Sequence, residues 1–142
     1  MIEIKNLYKD WGAFSLKEIN LEIKRGEYFV ILGPTGAGKT LLLEMIAGFH
    51  SPDKGEIWID GEDMTTYPPE ERNVGFIYQD YSLFPHLNVI GNIRFGPELK
   101  GIFKEDIERE SNEIMRLLGI SHLSHRYPNT LSGGEQQKVA IA

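Results

Sequence analysis

The sequence predicts an α/β fold in which residues 1–80 form a mixed part opening on antiparallel strands and residues 81–135 form a helical part. Three observations carry this expectation. Apolar and charged residues alternate through the opening third. Two largely apolar runs, Phe29-Val30-Ile31-Leu32 and residues 74–78, interrupt the alternation, and beyond residue 80 the apolar positions recur at helical spacing.

Taken in order, Ile2 and Ile4 alternate with charges, Leu21 and Ile23 alternate with Asn20, Glu22 and Lys24, and Arg25-Gly26-Glu27 supplies a turn. This is the pattern of half-exposed antiparallel strands. Phe29-Val30-Ile31-Leu32 is apolar throughout, the composition of a strand covered on both faces. A glycine-rich turn and a helix over 39–47 follow, with Leu42, Met45, Ile46 and Phe49 at helical spacing and Gly48 placed to end it. Residues 51–55 are turn chemistry, and Ile57 and Ile59 alternate with Glu56, Trp58 and Asp60 before Gly61-Glu62-Asp63 turns again. Pro68-Pro69 breaks the chain, and residues 74–78 predict a second buried strand ending at Gln79. Helices are expected over 87–93 and over 104–118, the latter with Ile107, Ile114, Leu117 and Leu118 on one face and Gly119 closing it. A last helix begins near Ser132, and residues 136–142 start its return to the core. So short a final helix, and a buried strand with so few later strands to pair with, predict the N-terminal piece of a longer protein.

With 15 Lys+Arg against 21 Asp+Glu, the 142-residue chain carries a net charge of −6 and has no basic footprint for nucleic acid or anionic lipid. Its 41% hydrophobic and 25% charged residues match globular usage, so a packed domain is expected. The absence of cysteine excludes a disulfide frame, a thiolate zinc site and a catalytic thiol. His50, His86, His122 and His125 show no metal-ligand spacing. The apolar runs fall far short of the ~20 residues that cross a bilayer. Met1-Ile2-Glu3-Ile4-Lys5 lacks a signal sequence's regions, so the expected location is the cytosol.

Gly33-Pro34-Thr35-Gly36-Ala37-Gly38-Lys39-Thr40 fits the phosphate-loop pattern G-x-x-x-x-G-K-[ST], between a predicted strand and a predicted helix. Glycines let the main chain wrap an anion with successive N–H groups pointing inward, and the helix start adds unpaired amides and a positive dipole end. Lys39 is then placed for the β- and γ-phosphates and the Thr40 hydroxyl for Mg²⁺.

Thr130-Leu131-Ser132-Gly133-Gly134-Glu135-Gln136-Gln137 is similar to the signature motif of ATP-binding cassette (ABC) ATPases, and it follows the phosphate loop and Gln79 in that family's order. The resemblance covers essentially the whole chain, including Trp11-Gly12, residues 79–86 and Val139-Ala140-Ile141-Ala142, and is closest to importer ATPases of the tungstate and molybdate type. It implies a P-loop NTPase core with an N-terminal antiparallel β subdomain and an α-helical insert. It also implies an ATPase with ATP and Mg²⁺ as cofactors, coupling hydrolysis to solute import. In this reading Lys39 and Gln79 are catalytic, Thr40 and Gln79 serve the metal, and Trp11 (alternatively Tyr8) stacks on adenine. Ser132, Gly133, Gly134 and Glu135 meet the γ-phosphate held by a second copy, so the implied state is a head-to-tail dimer. The implied partners are membrane permease subunits and, indirectly, an external solute-binding protein, with no nucleic acid. The implied location is peripheral, on the cytoplasmic face of the membrane.

Plainer readings of the same residues stand beside these. Ser132-x-x-Glu135 is a capping box, Gln79 a polar strand end, Trp11 a core or surface aromatic, and Leu83, Phe84 and Leu87 core packing rather than a groove for a permease helix. A soluble ABC-type ATPase of DNA repair or ribosome association is a second function, opposed by the acidity and by the short span between loop and signature. A non-catalytic truncated nucleotide-binding module is a third.

Hydrolysis in such enzymes needs an apolar strand ending in Asp and followed by Glu. Only Ile57-Trp58-Ile59-Asp60 ends an apolar strand in an acid, and it alternates, precedes the helical part and is followed by Gly61. The family's acidic pair, D-loop and switch histidine are therefore expected beyond Ala142.

Overall fold

Nine-residue strands β1 (Ile2–Asp10) and β2 (Ser15–Ile23) pair antiparallel in the computed structural model, which describes residues 1–142. Their hairpin closes at Trp11, whose N–H donates to the Phe14 carbonyl at 2.9 Å. β3 (Lys54–Ile59) pairs antiparallel along the other edge of β1, and the two-residue β4 (Glu62–Asp63) extends it. The sheet order is β2-β1-β3-β4. Ile4, Leu7, Leu16 and Ile57 reach one face because the β1–β2 register shifts between Ile4 and Leu7 and again before Lys9, with Asn6 and Glu18 at φ 49° and 51°; there they meet Leu42, Met45 and Ile46 of α1 (Lys39–Ala47). Each such buried aliphatic side chain contributes about 1.5–3 kcal/mol.

α1 spans the expected residues and ends as expected. Gly48 takes φ 94°, its N–H donates to Met45 O at 3.2 Å, and the Phe49 N–H donates to Glu44 O at 2.9 Å. That double closure satisfies two of the last helical carbonyls. Arg72 adds a second donor to Met45 O and one to Ile46 O. Buried at 2% exposure, its guanidinium donates to Met45 O (2.8 Å), Ile46 O (3.1 Å), Tyr67 O (2.8 Å) and Thr65 O (3.2 Å).

The expected strands at 29–32 and 74–78 are not strands here. A parallel-type strand needs neighbours for both rows of its N–H and C=O groups, and the sheet β2-β1-β3-β4 includes neither run. Tyr28 and Leu32 are accordingly 93% and 87% exposed.

The chain forms two compact units, Met1–Phe76 and Ile77–Ala142. In the second, Val89, Met115, Ile120, Leu123, Leu131 and Val139 form the core. α2 covers Val89–Leu99, capped by the Asn88 side chain accepting from Gly91 N–H at 2.9 Å, and so runs beyond the expected 87–93. It continues through Pro97, which has no N–H to donate to the Ile93 carbonyl one turn back. α3 (Lys104–Leu117) buries Ile107, Ser111 and Met115, one step per turn; Leu117, expected on the buried face, is 78% exposed. α4 is Gly133–Ile141.

Candidate functional site: the phosphate loop

Gly36 and Gly38 take φ 83° and 84°, the left-handed conformation in which a side chain strains the main chain. Between them Ala37 N–H donates to Pro34 O at 3.2 Å, folding residues 33–38 into a compact turn. Gly38 is the N-cap of α1, and no side chain caps it; the helical ladder starts with Leu42 N–H donating to Gly38 O at 2.9 Å. The positive end of α1 is thus left for an anion.

The Lys39 ammonium is folded over this turn and donates to Gly33 O at 2.8 Å and Pro34 O at 2.7 Å. Its partners are neutral carbonyls, and charged phosphate oxygens accept more strongly from an ammonium. Thr40, next along α1, is exposed with its hydroxyl one residue beyond Lys39. An open cleft of about 400 Å³ borders both residues and is otherwise lined by Ile23, Tyr28, Phe29, Val30, Ile31 and Leu43. An uncapped helix start, a cation and an exposed hydroxyl are the donor set that a polyphosphate with Mg²⁺ requires.

Trp11 sits half-buried at the hairpin tip, 6.2 Å from the Phe14 ring and edge-on to His50 at 5.9 Å; His50 Nε2 lies 3.3 Å from Glu44 Oε2. Phe14 in turn packs against Gly38, so one aromatic ring joins the Trp11 hairpin to the phosphate loop. Tyr8, the alternative aromatic, lies within β1 with the Lys54 ammonium 5.9 Å from its ring centre.

Gln79 and residues 132–135 belong to the second unit. Gln79 is exposed in a turn closed by Tyr81 N–H donating to Tyr78 O at 3.0 Å; Tyr81 and Ser82 then take φ 63° and 46°, and Ser82 Oγ donates to Asp80 Oδ1 at 2.9 Å. Ser132 is the N-cap of α4 in a reciprocal capping box. Glu135 N–H donates to Ser132 Oγ at 3.4 Å, while Ser132 N–H and Oγ each donate to Glu135 Oε2 at 2.7 Å. These bonds, with the fields of Arg126 and His122, hold the Glu135 carboxyl below its ordinary value. A Cβ built at Gly133 or Gly134 meets nothing within 4 Å, so the helix start is open beside the cap.

Three supporting residues are not legible in the sequence. Phe14 and Arg72 carry no local signal. Asn92 holds the approach to α2 by accepting from Phe84 N–H at 2.7 Å and donating to Leu87 O and Asn88 O at 3.0 Å each. Only the Asn88-x-x-Gly91 cap just before α2 hints at that arrangement.

A glycine loop opening an uncapped helix beside an antiparallel sheet defines a phosphate-loop α/β protein. The chain belongs to the ABC transporter family, whose model matches residues 16–142. It is 53% identical, over its full length, to the molybdate/tungstate import ATP-binding protein WtpC of Pyrococcus abyssi, covering 41% of that protein. It is 47% identical to the spermidine/putrescine import ATP-binding protein PotA of Fusobacterium nucleatum, over 99% of this chain and 38% of that one. The chain thus spans about two fifths of the length of the curated relatives it matches. The fold matches the ATP-binding cassette MJ0796, solved as a dimer in a post-hydrolysis state bound to ADP and Pi, with TM-score 0.84 and 31% identity over 99% of this chain and 67% of that one.

Proposed function

We propose that this chain is the nucleotide-binding part of an ABC import ATPase. The observation that carries the reading is the start of α1: left-handed Gly36 and Gly38, no side-chain cap, and the Lys39 ammonium resting on two main-chain carbonyls. Main-chain amides of residues 33–40 hold the polyphosphate of ATP. Lys39 exchanges its carbonyl partners for β- and γ-phosphate oxygens, and Trp11 gives the adenine a flat apolar face. The Thr40 hydroxyl would hold Mg²⁺, and Gln79 is proposed from the family resemblance to serve the same ion, which would supply neutralising charge to the transferring phosphate.

Residues 132–135 face the γ-phosphate held by a second copy, in a head-to-tail dimer closed by ATP. The cap does not conflict with this, because it secures the α4 start on one side and leaves Gly133 and Gly134 open. A dimeric solved relative supports the dimer. The import names of its relatives support permease partners and a peripheral place on the cytoplasmic side of the membrane, with a solute-binding protein delivering from outside. No helix is long and apolar enough to cross a membrane. The solute reading is a molybdate- or tungstate-type oxyanion, supported by 53% identity to WtpC against 47% to a polyamine importer.

The complete protein hydrolyses ATP, whereas residues 1–142 by themselves do not, because they hold no carboxylate placed as general base. Asp60, which directly follows β3, is engaged with the Met1 ammonium at 2.5 Å. Affinity purification of the tagged chain from detergent-solubilised membranes tests the transport assignment. Recovery with a membrane permease is expected; recovery with nucleic acid and no membrane protein contradicts it.

A further inference from the structure

We infer that Phe14 is a positioning residue for phosphate binding: its ring is the seat that fixes the turn of the loop at Gly38. The inference rests on the nucleotide-binding reading above. A Cβ built at Gly38 lies 2.5 Å from Phe14 Cζ, 2.8 Å from Cε1 and 3.0 Å from Leu16 Cδ2, closer than packed carbons approach. The other two loop glycines are not wedged in this way. At Gly36 a Cβ meets nothing within 4 Å, and at Gly33 it meets Ala37 Cβ at an ordinary 3.5 Å.

Gly38 is also the N-cap of α1, so the ring bears on the residue from which the helix's unpaired amides start. Phe14 is itself held from behind. It packs on the core cluster that includes Leu7, Leu16 and Leu42, and its carbonyl accepts from Trp11 N–H at 2.9 Å. Amides that must converge on an anion bind it well only if they are ordered beforehand, since otherwise binding itself must order them. Phe14 supplies that order from a strand hairpin remote in sequence.

The test separates phosphate from base. Binding of Mg-tripolyphosphate, which has neither base nor ribose, and of Mg-ATP is measured by calorimetry for the parent chain and for Phe14→Ala and Phe14→Leu, with melting temperatures recorded. Phe14→Ala is expected to weaken both ligands by about tenfold, and the shorter but still apolar Leu by about threefold. If Phe14→Ala weakens only Mg-ATP, the ring merely supports the Trp11 hairpin and the inference is overturned. A lower melting temperature with unchanged tripolyphosphate affinity likewise overturns it, because the ring is then only core. Should Phe14→Ala fail to fold, Phe14→Leu decides, and parental tripolyphosphate affinity refutes the claim. A parent chain that binds neither ligand sinks the nucleotide reading before any substitution is made.

Discussion

At the residue scale, Glu135 closes the cap of α4 beside the glycines proposed to meet a γ-phosphate. Its carboxylate accepts twice from Ser132, and those bonds lower its pKa from an ordinary 4.5. A carboxyl depressed in the folded state stabilises that state above its unfolded pKa and loses the effect as pH falls through the folded value. The stability of the α4 start is therefore expected to be flat above pH 4.5 and to decline below it, and Glu135→Gln to flatten the decline. NMR titration of the Ser132 and Glu135 amides checks this; an unchanged acid limb in Glu135→Gln contradicts it. The cap was legible because Ser-x-x-Glu is local chemistry. Phe14 was not, since its contact with Gly38 joins residues 24 positions apart and depends on the hairpin's register.

At the scale of elements, α1 is held at both ends by different means: its start rests on Phe14, and its end is closed by Gly48 and Arg72. Arg72→Ala removes four hydrogen bonds to main-chain carbonyls, of which Met45 O keeps the Gly48 N–H, and a loss of about 3 kcal/mol of stability is expected in urea unfolding. A change within about 0.5 kcal/mol, the range of an ordinary surface substitution, contradicts that role. Ser132→Ala is expected to cost α4 about 1 kcal/mol, read as faster amide exchange in its first turn. The bounds of α1 and the cap of α4 were readable from glycine and capping chemistry. The end of α2 was not: the helix expected over 87–93 runs on through Pro97 to Leu99. The runs at 29–32 and 74–78 have strand composition, but the sheet β2-β1-β3-β4 includes neither of them.

At the scale of the whole molecule, the exposed apolar run at 29–32 sets the expected behaviour of residues 1–142. Phe29, Val30 and Leu32 are 40%, 55% and 87% exposed beside the cleft that borders Lys39. Such apolar segments favour association between copies and weaken cooperativity. A broad thermal transition and concentration-dependent sedimentation are expected; a sharp cooperative melt of a monomer contradicts this. ATP turnover by the same polypeptide is expected at background, and turnover abolished by Lys39→Ala would refute the assignment of a missing general base.

The claim on which the account depends is that residues 33–40 enclose the polyphosphate of ATP with Lys39 as its cation. Isothermal titration of the polypeptide with Mg-ATP, repeated on Lys39→Ala, tests it most directly. Loss of one charge-assisted contact of about 1.5–3 kcal/mol is expected to weaken binding roughly ten- to a hundredfold. No measurable affinity in the parent, or the same affinity without the ammonium, would contradict the account.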